Sequence, residues 1–391
     1  MRTRPIIFTL LLLLVPFFAA AQRDEMSRSM NQPIEPFRIA GNLYYVGASD
    51  VTSFLLTTPE GHILLDGGFE QTVPIIQANV KKLGFRLEDV KILLNSHAHL
   101  DHAGGLAGLK KLSGAQLLAS AEDAILLAAG GKGDFRYGDE LPYPPVQPDR
   151  AIKDGETVTL GGTTLTAHLT PGHTKGCTTW TAKVEEGGKP LNVVFVCSLS
   201  INPGVSLTDS PKYPRIADDY RRTFQVLEAL PVDVFLHSHG QFFRLTEKAE
   251  RARKGETPSP FIDPAGYRAY LRQVRERFDT QYAAESRASA GPVRVGGSVS
   301  APELVSSAPP EYPEVARKAN VKGRVTLEVV VDEKGDVTSA RVLKGLPMGL
   351  DKAAADAVKR WKYKPATSYG KPVKVYSTVI VTFPPMSAPA P

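Results

Sequence analysis

The stretch SHAHLDHAGG, residues 96–105, decides how this chain is interpreted. It places four potential metal ligands within six positions: His97, His99, Asp101 and His102. Imidazole and carboxylate groups are ligands that Zn²⁺ accepts. Because side chains alternate in direction along an extended chain, one short loop of this kind can serve two metal positions. A lone histidine is usually an ordinary surface or capped residue, but this clustering predicts a metal site.

Two further contexts supply the histidines that would complete the site. TPGHTKG at 170–176 carries His173, and LHSHG at 236–240 carries His239. Each context follows a predicted strand, and ligands on loops at strand ends can converge on one rim of a pair of packed sheets. The other three histidines are interpreted as ordinary residues: His62 in a turn, His168 on a strand before the ligand loop, and His237 two positions before His239 and pointing away from it.

On both sides of this stretch, the spacing of apolar residues predicts alternating strands and helices. Short apolar strands broken by turns run from residue 39 to about 69, a pattern typical of an antiparallel meander, and residues 151–200 are strand-rich again. Helical spacing appears in four segments: 73–84, 103–113, 215–229 and about 264–283. Two similar halves, each of strands followed by helices, predict an α/β fold with two sheets face to face and helices outside, an αββα sandwich.

The C-terminal part restarts the pattern after a segment rich in small residues. Apolar residues alternate from Val325 to Val331 and again from Val373 to Phe383, while Leu350, Ala354, Ala357 and Trp361 mark one helix face. This predicts a small α+β domain. The expected organisation is a signal peptide, a first domain, a linker, the second domain and a tail: 1–21, 22–285, 286–292, 293–385 and 386–391.

The first 21 residues have the character of a secretory signal, with two arginines, an apolar run and Ala19, Ala20 and Ala21 before Gln22. The apolar run is shorter than the ~20 residues that span a bilayer, so we expect cleavage, no transmembrane segment in the mature chain, and a periplasmic location. The formal charge of +6 is concentrated after Pro292. We interpret that basic excess as a solvated face, and nothing in the chain is typical of a nucleic-acid-binding protein.

The two cysteines, Cys177 and Cys197, flank the turn EEGGKP at 185–190 almost symmetrically. If the flanking segments form a hairpin, the cysteines could face each other as a disulfide, and two buried free thiols are the alternative. A separate segment, GGKGDFRYGDE at 130–140, has the glycine and charge content of a loop that covers a substrate, with Phe135 as the covering side chain.

The run HAHLDH, with TPGHT downstream and a final loop histidine, resembles the metallo-β-lactamase superfamily over roughly residues 36–285. Glyoxalase II and related hydrolases of this superfamily place a metal-bridging aspartate in the segment matching VFVCSLSINPG, where this chain has Ser198. The serine, together with LLDGG, CSLS and PKYPRIADDYRRTF, makes the chain similar to the subclass B3 β-lactamases. A disulfide of some members has no counterpart here, because neither cysteine lies in the C-terminal part of the domain.

The resemblance implies two zinc ions, one held by His97, His99 and His173 and the other by Asp101, His102 and His239. It implies a zinc-dependent hydrolase that opens the β-lactam ring, with hydroxide shared by the two ions as the nucleophile. Asp101 would also orient that hydroxide. Three further residues receive expected roles that have simpler alternatives: Asp66 supports the site or caps a turn, and Ser198 and Ser200 bind the substrate carboxylate or merely end a strand.

The C-terminal segments APPEYPEVARKANVKGRVTLEVVVDEKGDV and LDKAAADAVKRWKYKPA resemble the TonB C-terminal domain over about residues 293–385. TonB adds a strand of its receptor to a sheet edge, so the resemblance implies an outer-membrane or periplasmic protein partner, with a stabilising appendage as the alternative. Two rival functions remain beside the β-lactamase. One is a lactone or thioester hydrolase of the same fold, and the other is a periplasmic adaptor that works through the TonB-like domain.

Overall fold

The computed structural model describes residues 27–384. The predicted signal peptide and the predicted tail at 386–391 therefore lie outside the described residues. The chain divides into two compact units, Met1–Tyr282 and Ala283–Pro391. Within residues 27–384 no helix combines the length and the apolarity needed to cross a membrane.

The first unit contains two sheets. Sheet A is built in chain order, each strand beside the next: β1 Phe37–Ala40, β2 Leu43–Tyr45, β3 Phe54–Thr58, β4 Gly61–Leu65, β5 Val90–Leu94, β6 Gln116–Ser120 and β7 Arg150–Ile152. Strands β1 to β4 pair antiparallel, which confirms the predicted meander, and β4 to β7 pair parallel. Sheet B consists of β8 Thr157–Leu160, β9 Thr163–Leu169, β10 Thr178–Glu186, β11 Lys189–Val196 and β12 Val234–His237, in the spatial order β12, β11, β10, β9, β8.

The helices that begin in the first unit lie outside the two sheets. They are α1 Val73–Lys82, α2 Leu100–Ala103, α3 Leu106–Ser113, α4 Ala121–Ala128, α5 Ile216–Ala229, α6 Leu245–Arg253 and α7 Pro264–Ala290, with 3₁₀ turns at Glu70–Thr72, Leu87–Asp89 and Gly240–Phe243. Helix α7 continues through most of the segment expected to be a linker, 286–292. Its alanines and serine have no apolar stripe, but alanine favours helix without one.

Alternation along the strands explains the four layers. In β3, Phe54 faces sheet B, where its ring lies 5.2 Å from Phe195, while its neighbour Leu55 packs with Ile76 of α1. On the far side of sheet B, Phe224 of α5 and Phe278 of α7 pack 5.5 Å apart in the same apolar core as the sheet. Each sheet thus has one face toward the other sheet and one toward helices, which confirms the αββα sandwich.

The second unit is a small α+β domain. Its elements are β13 Val293–Arg294, β14 Glu303–Ser306, α8 Glu314–Lys318, β15 Gly323–Val331, β16 Val337–Lys344, α9 Leu350–Val358, β17 Lys362–Lys364, β18 Thr367–Ser368, β19 Lys371–Pro372 and β20 Val375–Phe383. A four-stranded sheet of order β13, β20, β15, β16 packs against the two helices, and two short strand pairs, β14 with β17 and β18 with β19, complete the domain. The predicted strand at 325–331 lies within β15, and the last strand begins at Val375 rather than Val373. Leu350, Ala354 and Ala357 lie on α9 and are buried, but this helix ends at Val358, so Trp361 lies beyond it.

Candidate metal centre

Strand direction brings the predicted ligands to one edge of the sandwich. The stretch that begins at Ser96 follows β5, His173 lies between β9 and β10, and His239 follows β12. Strands β9, β11 and β12 run in the same direction, so the loops after them lie at one edge of sheet B. The two sheets are joined there, because Thr178 donates a backbone hydrogen bond of 2.8 Å to the carbonyl of Ser96.

Three histidines form what we call the first cluster: His97, His99 and His173. All are buried, and one nitrogen of each lies within 4.8 Å of the others. The carbonyl of Ser200 can only accept, so at 2.7 Å it fixes the proton of His173 on Nδ1 and leaves Nε2 as a lone pair. The Nε2 atoms of His97 and His99 are buried without a hydrogen-bond partner. Orphaned buried nitrogens that converge in this way fit a metal ion.

The second cluster consists of Asp101, His102 and His239. The Oδ2 atom of Asp101 lies 3.4 Å from Nε2 of His102 and 3.5 Å from Nε2 of His239, and those two nitrogens are 3.2 Å apart. Ligands of a tetrahedral zinc with bonds of about 2.0–2.1 Å are themselves about 3.3 Å apart. A carboxylate oxygen and two imidazole nitrogens at this spacing match the ligand set of a metal ion, so the second cluster also fits a metal.

The two clusters are neighbours. The ring centres of His97 and His102 are 4.2 Å apart, and His97, Asp101 and His102 form a further group whose ligand atoms lie within 4.8 Å. The structure therefore brings all six sequence-predicted ligands together in one place. This arrangement supports a divalent metal site, for which zinc suits the mixture of imidazole and carboxylate.

The electrostatics of His97, His173 and Asp101 match metal binding. Burial lowers the pKa of His97, and it lowers the pKa of His173 to about 3, so both imidazoles are neutral at neutral pH. Burial raises the pKa of Asp101, but the charges of His102 and His239 and a hydrogen bond from His102 outweigh it, so the net shift is downward. Neutral imidazole and ionised carboxylate are the forms that bind metal.

Asp66, expected to support the site, is buried behind it and does not line the cavity. Its Oδ1 atom accepts a 2.7 Å hydrogen bond from the backbone N–H of Ser96, and its Oδ2 atom lies 3.8 Å from Nδ1 of His102. Asp66 has a left-handed φ of 63°, and its loop lies so close to the ligand loop that a Cβ at Gly105 would come within 2.2 Å of the carbonyl of Gly67. Asp66 thus braces the ligand loop from the next strand.

Two carboxylates that support ligands were missed by the sequence analysis. Asp50 Oδ2 is 3.0 Å from Nδ1 of His239, which leaves Nε2 of that ring for the second cluster. Burial lowers the pKa of His239, but the hydrogen bond to Asp50 and the charges of Asp101 and Asp50 together outweigh it, so the net shift is upward. Asp134 Oδ2 is 3.7 Å from Nε2 of His99, and both atoms are buried without a hydrogen bond. Asp134 lies in the predicted covering loop, and that position was the only feature of the sequence that pointed to it. Asp50 lies in a turn without a motif.

A cavity of about 240 Å³ opens onto the clusters. Ser198 and Ser200, both predicted substrate contacts, line it with Asn202 and Tyr137. The predicted covering residue Phe135 is not part of this lining, because its ring packs edge-on against Tyr213 at 5.0 Å. A larger cavity of about 620 Å³ between α5 and α7 contains none of the ligands.

The remaining histidines have ordinary partners. His62 packs edge-on against Phe85, and His168 hydrogen-bonds the hydroxyl of Thr181 at 2.9 Å. His237 hydrogen-bonds the hydroxyl of Tyr270 at 2.8 Å, facing away from the clusters as expected.

The hairpin of β10 and β11 forms as predicted, and a disulfide joins Cys177 to Cys197. The bond resolves the choice between paired and free thiols. Cys177 lies four positions after His173, and Cys197 precedes Ser198, so the disulfide ties a ligand loop to a cavity-lining loop.

Comparison with known proteins agrees with the geometry. The family model of the metallo-β-lactamase superfamily matches residues 46–239, and that of the Gram-negative bacterial TonB protein C-terminal matches residues 308–385. The native FEZ-1 metallo-β-lactamase from Legionella gormanii is 46% identical, with 66% of this chain and 98% of that chain covered and a TM-score of 0.65. BJP-1, a subclass B3 metallo-β-lactamase of Bradyrhizobium japonicum, is 41% identical, with 66% and 97% covered and a TM-score of 0.62.

The curated relatives are matched only in part. The N-acyl homoserine lactonase AttM of Agrobacterium fabrum is 29% identical over 165 residues, 36% of this chain and 62% of the lactonase. The chain spans about a third of the length of the curated metallo-hydrolase and TonB proteins that it matches. The ligand clusters, the αββα layers and the near-complete coverage of FEZ-1 lead to one conclusion: the chain belongs to the metallo-β-lactamase superfamily, and its second unit carries a TonB C-terminal domain.

Proposed function

We propose that this chain is a zinc-dependent β-lactamase of the subclass B3 type that holds two zinc ions. The observation that carries the proposal is the pair of adjacent ligand clusters in a domain that aligns with 98% of FEZ-1 at 46% identity. The first cluster would hold one ion and the second cluster the other. When bound, zinc supplies an activated water and polarises the carbonyl that this water attacks.

The chain's own residues would bind and orient the substrate. The Oγ atom of Ser198 accepts the N–H of Ser200 at 3.3 Å, so its own proton is available for the carboxylate that a β-lactam carries. Asn202 also lines the cavity, and its Nδ2 group is buried without a hydrogen-bond partner. Asp101 would use its other carboxylate oxygen to orient the attacking water. Tyr137, rather than Phe135, would cover the bound ring, because it lines the cavity and lies 5.4 Å from His99.

The test is hydrolysis of a chromogenic cephalosporin by the mature protein. We expect turnover that a chelator abolishes and added zinc restores. Failure to hydrolyse any penicillin, cephalosporin or carbapenem by the zinc-loaded protein would contradict the proposal.

A second candidate is a lactone hydrolase, which the 29% identity to AttM favours. Ser198 weighs against it, because the related glyoxalase II-type hydrolases are expected to place a metal-bridging aspartate at that position. The same protein assayed with N-acyl homoserine lactones separates the two: lactone turnover without β-lactam turnover would select this candidate.

For the second unit we propose a docking role in the periplasm, reached through the predicted signal peptide. Strand β20 pairs with β15 along all nine residues, but β13 covers only Val375 and Tyr376 on its other side. Within the described residues the edge from 377 to 383 thus has no strand partner, and such an edge can accept a strand from another protein. We expect the full chain to cosediment with outer-membrane fractions more than a chain that ends at residue 292; equal cosedimentation would contradict docking.

A further inference from the structure

One buried carboxylate near the metal centre is used by neither cluster. Asp123 lies in the first turn of α4 and is 1% exposed. An acidic residue at a helix N-terminus is ordinarily explained by the helix dipole, but that effect operates at the surface and does not require burial. Burying a carboxyl group costs free energy that directed hydrogen bonds must offset. The position of Asp123 therefore calls for a different explanation.

The hydrogen-bond partners of Asp123 lie beside the ligands of the first cluster. A backbone hydrogen bond from Ala98, the residue between His97 and His99, acts to lower the pKa of this carboxyl group against the effect of burial. The carboxyl group also lies 3.4 Å from the hydroxyl of Thr174, which follows His173 directly. One side chain thus contacts both loops that supply the first cluster, one from sheet A and one from sheet B.

The residues at the N-terminus of α4 add further contacts with the loop of His173. Ser120 donates a 2.7 Å hydrogen bond from its hydroxyl to the carbonyl of Gly176, and the same oxygen accepts from the backbone N–H of Asp123. A Cβ at Gly176 would lie 2.3 Å from Cγ of Asp123, so only glycine allows the His173 loop to approach this closely. The contact is therefore built by three residues, Ser120, Asp123 and Gly176, and is not an isolated hydrogen bond.

We propose that Asp123 is a positioning residue that holds the loop of His97 and His99 against the loop of His173, so that the three nitrogens of the first cluster converge on one metal ion. It contacts no ligand side chain directly and acts through Ala98 and Thr174. The inference rests on the proposed function only in assuming that the first cluster binds zinc, and it does not depend on the substrate.

The test measures zinc binding rather than hydrolysis. In a His239→Ala background, where the first cluster alone keeps its full ligand set, zinc affinity is measured by competition with a chromophoric chelator. Substitutions beside metal ligands typically cost about 10–100-fold in affinity, and we expect a loss in that range for Asp123→Ala. Asp123→Asn keeps one acceptor and one donor on the same atoms and should retain most of the affinity. Thr174→Val should lose only a few-fold, since it removes one contact.

The matched control is Asp233→Ala. Asp233 also ties two segments together, accepting hydrogen bonds of 2.8 Å from the backbone and side chain of Asn192, but it lies at the start of β12, away from the clusters. The control should lower the melting temperature but change neither the zinc affinity nor the d–d absorption of Co²⁺ bound in the first cluster. Asp123→Ala should change both the zinc affinity and the d–d absorption.

Zinc affinity of Asp123→Ala equal to that of its parent, or a loss no greater than in the Asp233 control, would overturn the proposal. The Thr174→Val measurement decides the same question if the alanine variant does not fold. A protein that binds zinc as expected but hydrolyses no β-lactam would refute the proposed function and leave this inference intact.

Discussion

The two clusters use different chemistry at neighbouring positions. The first cluster offers three imidazoles, and His173 is fixed by a neutral carbonyl. The second offers two imidazoles and a carboxylate, and His239 is fixed by the carboxylate of Asp50. Burial keeps His173 neutral down to about pH 3, while Asp50 raises the pKa of His239. The second cluster therefore carries more negative charge than the first. We expect the two zinc ions to bind with different affinities.

The largest expected effect comes from removing the charged ligand of the second cluster. Asp101→Ala deletes a ligand and the group that would orient the attacking water. Because changes beside ligands already cost about 10–100-fold, we expect the rate of cephalosporin hydrolysis to fall by more than about 100-fold. Zinc content should fall toward one ion per chain. Activity within about threefold of the wild type would show that the second cluster is not part of the reaction.

The sulfur atoms of Cys177 and Cys197 lie within 4.8 Å of a ring nitrogen of His97, in the first cluster. Replacing Cys177 and Cys197 by alanine removes a cross-link over 20 positions, for which chain entropy predicts a loss of about 3 kcal/mol in the free energy of unfolding. Chemical denaturation of the two proteins measures this difference. The zinc affinity of the second cluster should be unchanged. A loss of zinc affinity at the second cluster alone would contradict this difference between the two clusters.

A substitution of Asp50 tests the second cluster instead of the first. Asp50→Ala removes the carboxylate behind His239, so zinc affinity at the second cluster should fall about 10–100-fold while the first cluster keeps its affinity. Competition with a chelator in two resolved steps measures both constants. A surface substitution of similar size, Asp218→Ala on α5, serves as the control and should change neither.

The stability of the metal-free protein should also depend on pH, through Asp123. Burial raises the pKa of Asp123 to about 8, above its ordinary value of 3.8. A raised folded-state pKa means that the associated stability is complete below about pH 4 and is lost as the pH rises toward about 8, at up to about 1.4 kcal/mol per pH unit. Asp123→Asn cannot titrate, so the stability of the metal-free variant relative to the metal-free wild type should grow between pH 5 and pH 8. A difference that stays constant would contradict the raised pKa.

Local motifs explain why the ligands were predictable. Four of the six lie within six positions, and the other two follow strands in loops that recur in the family, so each carried a signal of its own. The layers followed from strand and helix periodicity, because strands β3 to β6 of sheet A bury alternate residues in two different apolar cores. The disulfide was foreseeable as a possibility because the hairpin turn lies midway between the cysteines.

The supporting residues could not be predicted, because their role depends on contacts distant in sequence. Asp50 meets His239 across 189 positions. In the covering loop, the choice between Phe135 and Tyr137 depends on where Tyr213 packs, which no local pattern encodes. The segment 286–292 was predicted as linker from its lack of an apolar stripe, yet the helix continues to Ala290 because alanine needs no tertiary contact to favour helix.

The central claim is that the edge of the sandwich holds two metal ions side by side. Crystals of the zinc-loaded protein, measured on both sides of the zinc absorption edge, test this most directly. We predict two anomalous peaks about 3.5–4 Å apart, one among His97, His99 and His173 and one among Asp101, His102 and His239. A single peak, or two peaks that do not lie within these clusters, would contradict it.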